Sequence, residues 1–291
     1  MTNLGTLGGT GSDARAINNN GQCAGGAWNA NNVQSHACLY TGTSNVDLGT
    51  LGGTRSEAFG INDQCEVVGR ASISGINPFH AFLNTGGIMM DIGTLGGLQS
   101  FAYGVNNSSE VVGGADLPNG IEHAFLFSEG TLQDLTPGLL LSSRAYAINN
   151  RHKIVGYITS GEQHAFIFQN GTNTDLNDVI DPNSGWLLEV ATGINEKGQI
   201  VGVGTHPVYT LRAFLLTPVL WVQITSRSGS VSIQFTGQPN VGYMIEYRNS
   251  LSTGTWQTLV VLDPLGVEHQ VVFNDTLVAG RQARFYRVRA I

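Results

Sequence analysis

Residues 47–53 read Asp-Leu-Gly-Thr-Leu-Gly-Gly, residues 60–69 read Gly-Ile-Asn-Asp-Gln-Cys-Glu-Val-Val-Gly, and residues 80–83 read His-Ala-Phe-Leu. These three words recur in the same order five times. The acid of the first word falls at Asp47, Asp91, Asp134 and Asp175, and a further copy opens the chain as Asn3-Leu4-Gly5-Thr6-Leu7-Gly8-Gly9. The asparagine of the second word falls at Asn18, Asn62, Asn106, Asn149 and Asn195. The third word begins at His36, His80, His123 and His164, and its fifth copy begins at Arg212. A repeat of this length, made of short β segments, is the signature of a propeller blade.

One repeat shows why. Ala58-Phe59-Gly60-Ile61-Asn62 reads as a first strand, Glu66 to Ala71 as a second, His80 to Leu83 as a third and Ile88 to Ile92 as a fourth. β-branched and aromatic residues fill these segments, and Gly and Asn punctuate them. The array is out of phase at its ends: it starts on a fourth-strand word and stops after a third strand, at Thr217-Pro218. The expectation is an all-β chain with a five-bladed propeller over residues 1–218, closed by the N-terminal strand around residues 2–5. Such closure removes two exposed sheet edges at once.

Residues 219–291 read as a separate small β-sandwich. Its strands are expected at Val231 to Phe235, Tyr243 to Tyr247, Trp256 to Val260, His269 to Phe273 and Arg284 to Arg289, with turns at Gly237-Gln238-Pro239-Asn240, Ser252-Thr253-Gly254 and Asp263 to Gly266.

The triple word resembles that of the extracellular HAF-repeat family, named after its His-Ala-Phe signature, over residues 3–217. Tyr243-Met244-Ile245-Glu246-Tyr247, Trp256 and Arg284 to Val288 resemble the fibronectin type III-like modules of secreted bacterial proteins. The resemblance implies a propeller and export to the cell surface or medium. It supplies no catalytic residues. Met1 sits almost on a repeat, so an export signal is expected to lie outside this sequence.

Composition narrows the partners. Net charge is −7 over 291 residues. Residues 1–218 hold 8 basic and 17 acidic side chains, the rest 6 and 4. An acidic repeat region disfavours a phosphate-backbone partner, and no apolar run is long enough to span a bilayer. Of the three cysteines, Cys23 and Cys38 occupy core positions of one blade, as a pair of buried thiols or a disulfide, and Cys65 replaces a turn glycine. No spacing suggests a metal site or a cofactor. The repeated histidine is read as a clasp on the fourth-strand acid, and the repeated asparagine as a turn residue bonding its own backbone.

Positions that vary between otherwise alike blades are the candidates for function. One first-strand column reads Asp13, Glu57, Phe101, Arg144, Val190, and the next reads Arg15, Phe59, Tyr103, Tyr146, Thr192. The loops between second and third strands also vary: Trp28 to Asn32, Ile76-Asn77-Pro78-Phe79, Leu117-Pro118-Asn119 and Thr205 to Tyr209. Aromatics beside polar forks suit sugar rings. The expected function is therefore polysaccharide binding by a monomer, with Asp13, Arg15, Trp28, Glu57, Phe59, Phe101, Tyr103, Arg144 and Tyr146 as ligand contacts. Phe59, Tyr103 and Tyr146 would stack on sugars; Arg15 and Arg144 would orient them.

Two alternatives stand beside this reading. Asp13 and Glu57 are candidate catalytic carboxylates of a glycoside hydrolase, at a spacing of ~6–10 Å, with Arg144 and Tyr146 as the lyase version. The chain is otherwise a structural or protein-interaction scaffold at the cell surface, its variable aromatics filling the space between blades.

Overall fold

In the computed structural model, residues 1–74, 78–208, 210–218, 222–227, 230–237, 241–249, 255–267, 269–276 and 284–291 are described. The chain divides into two compact units, Met1–Thr217 and Pro218–Ile291.

The first unit is a run of antiparallel meanders in a β-propeller-like arrangement. Its sheets are β1 to β4 (Gly8–Ile17, Cys23–Asn29, Ser35–Tyr40, Asn45–Asp47), β5 to β8 (Gly52–Ile61, Val67–Ile73, Phe79–Thr85, Ile88–Gly93), β9 to β12 (Ser100–Val105, Val111–Asp116, Glu122–Ser128, Thr131–Asp134), β13 to β16 (Ser143–Ile148, Ile154–Ser160, Glu162–Gln169, Thr172–Asp175) and β17 to β19 (Leu187–Ile194, Ile200–His206, Thr210–Leu216). A 3-10 turn, Leu176–Val179, follows β16. The first strands of successive sheets adjoin. The turns after these five strands converge on one cavity of about 330 Å³, whose lining includes Ile17, Ile61, Val105, Ile148 and Ile194.

Apolar layers fill the spaces between sheets. Val68, Ala81, Leu83 and Ile92 of the second sheet share one core with Ala102, Val111, Ala115 and Phe125 of the third. The same pairing of a back face with the next front face recurs between the first and second, third and fourth, and fourth and fifth sheets.

Three polar devices lock this packing. Asn62 Oδ1 accepts from the amides of Gln64 and Glu66, while its Nδ2 donates to the Asn106 carbonyl of the next sheet at 2.9 Å. Asn18, Asn106 and Asn149 donate likewise to Asn62, Asn149 and Asn195. So the asparagine does more than close its own turn. Each third-strand histidine bonds the fourth-strand acid of its own sheet through Nδ1: His36 to Asp47, His80 to Asp91, His123 to Asp134 and His164 to Asp175, at 2.6–2.9 Å. Ser100 Oγ accepts the Ala81 amide of the preceding sheet and donates to the Gly93 carbonyl; Ser56 makes the same bonds to Ala37 and Gly49.

The expected closure by the N-terminal strand is not what forms. Residues 1–6 carry no strand, and among the described residues β19 pairs only with β18. Leu4 and Leu7 instead pack on Cys23, Ala27, Cys38 and Tyr40 of the first sheet. Ser12 Oγ donates to the Gly5 carbonyl and Asn45 Nδ2 to the Thr6 carbonyl, which ties the segment down as the lead-in to β1. Leu48 and Leu51 pack in the same way on Ala58, Val67, Ala71 and Phe82 of the second sheet, so the lead-in holds the place of the first word of the repeat. The junction between the fifth and first sheets is therefore open. Ser12 and Ala14 are exposed, whereas their equivalents Ser56 and Ala58 are fully buried.

All three cysteines are free, and burial pushes the Cys38 thiol up to about 11. Cys65 has φ +66°, in the left-handed turn position that Gly21 and Gly198 occupy in their repeats. The second unit holds two three-stranded sheets, β20-β21-β24 (Gln223–Arg227, Ser230–Gly237, His269–Asp275) and β23-β22-β25 (Gln257–Leu262, Tyr243–Arg248, Phe285–Ala290). Val231, Ile233, Phe235, Tyr243, Ile245 and Val271 form their shared core. The expected turns at 238–240 and 252–254 lie outside the described residues.

Asn106→Ala removes the Oδ1 that accepts two turn amides and the Nδ2 that donates to the next sheet, at a buried site, and should cost about 2–4 kcal/mol. Asn195→Ala, exposed and with no following sheet, should cost under ~1 kcal/mol. Cys65→Gly should stabilise by up to ~1 kcal/mol by relieving the left-handed backbone. Denaturant titrations of the three variants check this ranking.

The Asp175 carboxyl adds a pH dependence. Burial pushes it up, but hydrogen bonds from His164 and the Asn177 amide outweigh that and hold it below the usual carboxylate range. A depressed folded value stabilises above the unfolded value of ~3.9 and is lost as pH falls through the folded one. Asp175→Asn should thus be less stable than wild type at neutral pH, by about 1 kcal/mol. The difference should vanish in acid-denaturation curves below the folded value.

Candidate functional site

The two variable columns meet in one cluster, and a bulge explains how. Each first strand breaks register at the same place, between Ala14 and Ala16, Ala58 and Gly60, Ala102 and Gly104, and Ala145 and Ala147. The extra residue is Arg15, Phe59, Tyr103 or Tyr146, so the bulge re-aims the whole second column. The glycine opposite makes room. A Cβ on Gly69 would run into the Glu57 carbonyl, and one on Gly156 into that of Arg144.

The rings form a continuous chain across sheets. Phe59 stacks on Tyr103 with centroids 5.4 Å apart and 17° between planes. Tyr103 meets Phe101 at 6.5 Å and Tyr146 at 5.3 Å, and Tyr146 meets Tyr157 at 6.1 Å. Guanidinium groups cover the remaining faces. Arg15 and Arg70 lie 5.0 and 5.8 Å from the Phe59 centroid, and Arg144 lies 5.4 and 5.8 Å from those of Tyr103 and Tyr146. Arg70 also lies over Phe79 and Phe101.

Carboxylates tie the guanidinium groups together. Arg15 bonds Asp13 at 3.0 Å and Glu57 at 3.1 Å, and Arg70 bonds the other Glu57 oxygen at 2.9 Å. Asp13 Oδ1 also accepts the Gly26 amide. Arg144 takes both oxygens of Glu122, at 2.8 and 2.5 Å, and reaches the Tyr146 hydroxyl at 3.4 Å. Burial opposes the charge on Arg144, but Glu122 more than offsets it and holds the guanidinium above its ordinary value. Burial pushes the Tyr103 phenol up to about 12. That suits a neutral wall residue and not a base at neutral pH.

Of the expected contacts, Asp13, Arg15, Glu57, Phe59, Phe101, Tyr103, Arg144 and Tyr146 are brought together. Trp28 is not: it lies half-buried at the end of β2 beside Gly11, and among the described residues it has no ring contact with the cluster. Phe59 and Tyr103 are half-buried and each is packed by rings and guanidinium groups, which makes them walls more than platforms for a sugar ring. Ile76, Asn77 and Tyr209 of the variable loops lie outside the described residues. The fifth sheet gives only Val190 and an exposed Thr192.

Phe79 of the variable loops also belongs to the cluster, and so do Arg70, Glu122 and Tyr157, which were not foreseen. The signal for Arg70 and Tyr157 was present. Gly26, Arg70, Gly114, Tyr157 and Val203 form a third variable column, paired residue for residue with Asp13, Glu57, Phe101, Arg144 and Val190.

No family model matches the chain, and no curated protein matches it. Among solved structures, a protein designated TolB from Agrobacterium tumefaciens is similar, with 13% identity over 92% of this chain and 90% of that one and a TM-score of 0.44. A triple arginine-to-alanine mutant of AofleA from Arthrobotrys oligospora is similar with 14% identity over 90% and 89% and a TM-score of 0.36. Neither likeness bears on what the chain binds.

The two ends of the cluster differ in exposure, which gives a graded expectation. Glu122→Gln leaves a largely buried guanidinium without its counter-charge and should cost about 1–3 kcal/mol. Asp13→Asn, at a half-exposed pair, should cost under ~1 kcal/mol. Paired denaturation curves measure the contrast.

Proposed function

We propose that the chain is a non-catalytic, exported polysaccharide-binding protein. Its first unit is read as a five-bladed propeller open at one junction, its second as a β-sandwich of fibronectin type III-like kind. One observation carries the binding reading. The Asp13–Arg15–Glu57–Arg70 network sits partly exposed on a wall of stacked rings, with side-chain exposures of 50, 40, 28 and 29%. Fixed forks of donors and acceptors over an apolar wall suit hydroxyl groups flanking the apolar face of a sugar. The ring edges, not their faces, supply the apolar contact.

The arrangement disfavours the hydrolase and lyase alternatives. Arg15 clamps both Asp13 and Glu57, and Arg70 takes the second Glu57 oxygen. Both carboxylates are thus held in ion pairs with guanidinium groups. Arg144 is committed to Glu122 in the same way.

A glycan array followed by calorimetry tests the reading. Wild type should bind at least one polysaccharide class, Arg15→Ala should weaken it ~10-fold or more, and Tyr103→Ala should weaken it by disordering the wall. No reducing ends should be released from plant and algal polysaccharides, and Glu57→Gln should leave that blank unchanged. An array without hits contradicts binding; turnover lost in Glu57→Gln contradicts the non-catalytic role.

A further inference from the structure

The fifth sheet lacks what every other sheet has. In the first four sheets the third strand is flanked by a fourth: Cys38 faces Asp47, Phe82 faces Asp91, Phe125 faces Asp134 and Phe166 faces Asp175. The next aliphatic residue is buried, as with Leu48, Ile92, Leu135 and Leu176. Its amide donates to the third-strand alanine, as from Leu48 to Ala37 and from Leu135 to Ala124. β19 has no such neighbour among the described residues.

The face beside this edge is bare as well. Val201 is 46% exposed and Leu215 61%, whereas their equivalents Val68, Val112 and Val155 are fully buried and Leu83 is 6% exposed. Ala213 is exposed where Ala37, Ala81, Ala124 and Ala165 are fully buried. The histidine that clasps the fourth-strand acid has become Arg212, which is exposed and turns Nη1 onto the carbonyl of Leu211. An edge that no described strand pairs over Arg212 to Leu215, an apolar face and a cation at the clasp position occur on one strand.

We propose that β19 is an acceptor for an extended segment of another chain, which carries an acidic residue followed by an aliphatic one and adds as the fourth strand of this sheet. The interface is the repeat's own, continued one step. The acid lies opposite Phe214 and pairs with Arg212, which replaces the neutral-or-charged histidine with a permanent cation and a two-pronged donor. The aliphatic residue donates its amide to the Ala213 carbonyl and covers Ala213 and Leu215. Main-chain bonds give the affinity and the Arg212 pair gives the register, as in strand addition generally.

The chain's own fourth strand is the probe. A labelled peptide of residues 129–137, which holds Asp134 and Leu135, is titrated into the full chain and followed by anisotropy. Saturable 1:1 binding is expected, with a loss of ~10-fold or more when the peptide carries Asp134→Lys. Arg212→Glu in the protein should reject the wild-type peptide and accept the Lys peptide. That reversal separates a lost contact from a misfolded variant. Absence of saturable binding, binding indifferent to the charge swap, or self-association through β19 that excludes the peptide would overturn the proposal.

Discussion

The hydrogen bond from one asparagine side chain to the asparagine carbonyl of the next sheet is the contact on which the array depends. Within a repeat, Asn62 Oδ1 closes the turn between first and second strands. Its Nδ2 is then aimed at the neighbouring sheet, at the Asn106 carbonyl. One residue thus fixes a local turn and the spacing of two sheets. Burial makes this obligatory, because an amide left unpaired at a buried junction costs more than the bond itself is worth. Where the series ends, so does the bond: Asn195 Nδ2 donates to Gln199 in its own turn. The apolar layers follow the same logic, a back face buried by the next front face until none follows.

The cluster of rings and ion pairs is a product of that spacing. Bulges at Arg15, Phe59, Tyr103 and Tyr146 turn four side chains toward their neighbours, and the adjoining first strands bring them within stacking distance. Gly114 gives Glu122 space to reach Arg144; a Cβ there would strike its carboxylate. The result is a braced surface whose charged heads are most exposed at the open junction, on the first and second sheets. Bracing favours recognition over acid–base chemistry, since each carboxylate is already held by a guanidinium.

Much of this was legible in the chain. The recurring words placed the strands, and comparison of unlike residues between like repeats picked out eight members of the cluster. The bulge was not legible, because Ala-Phe-Gly reads as ordinary alternation until the partner strand shows the extra residue at Phe59. Nor was the outward donation of the asparagine, which needs the next sheet to be in place. The N-terminal closure does not form: the Leu-Gly-Thr-Leu lead-in lies on the first sheet as Leu48-Gly49-Thr50-Leu51 lies on the second, with the same serine bond, but residues 1–6 carry no strand that pairs with β19. Arg70 and Glu122 lie on second and third strands, outside the first-strand columns and the loops in which unlike residues are compared.

The array ends at β19, whose outer edge pairs with no strand among the described residues. Residue-resolved amide exchange reads this out. In the second and third sheets the amides of Ala81 and Ala124 are bonded by Ser100 and Ser143 of the following sheet. Those amides should be strongly protected, whereas Ala213, with no following sheet, should exchange orders of magnitude faster. Equal protection at Ala213 and Ala124 in the isolated chain would mean that the junction is closed, and would contradict the account.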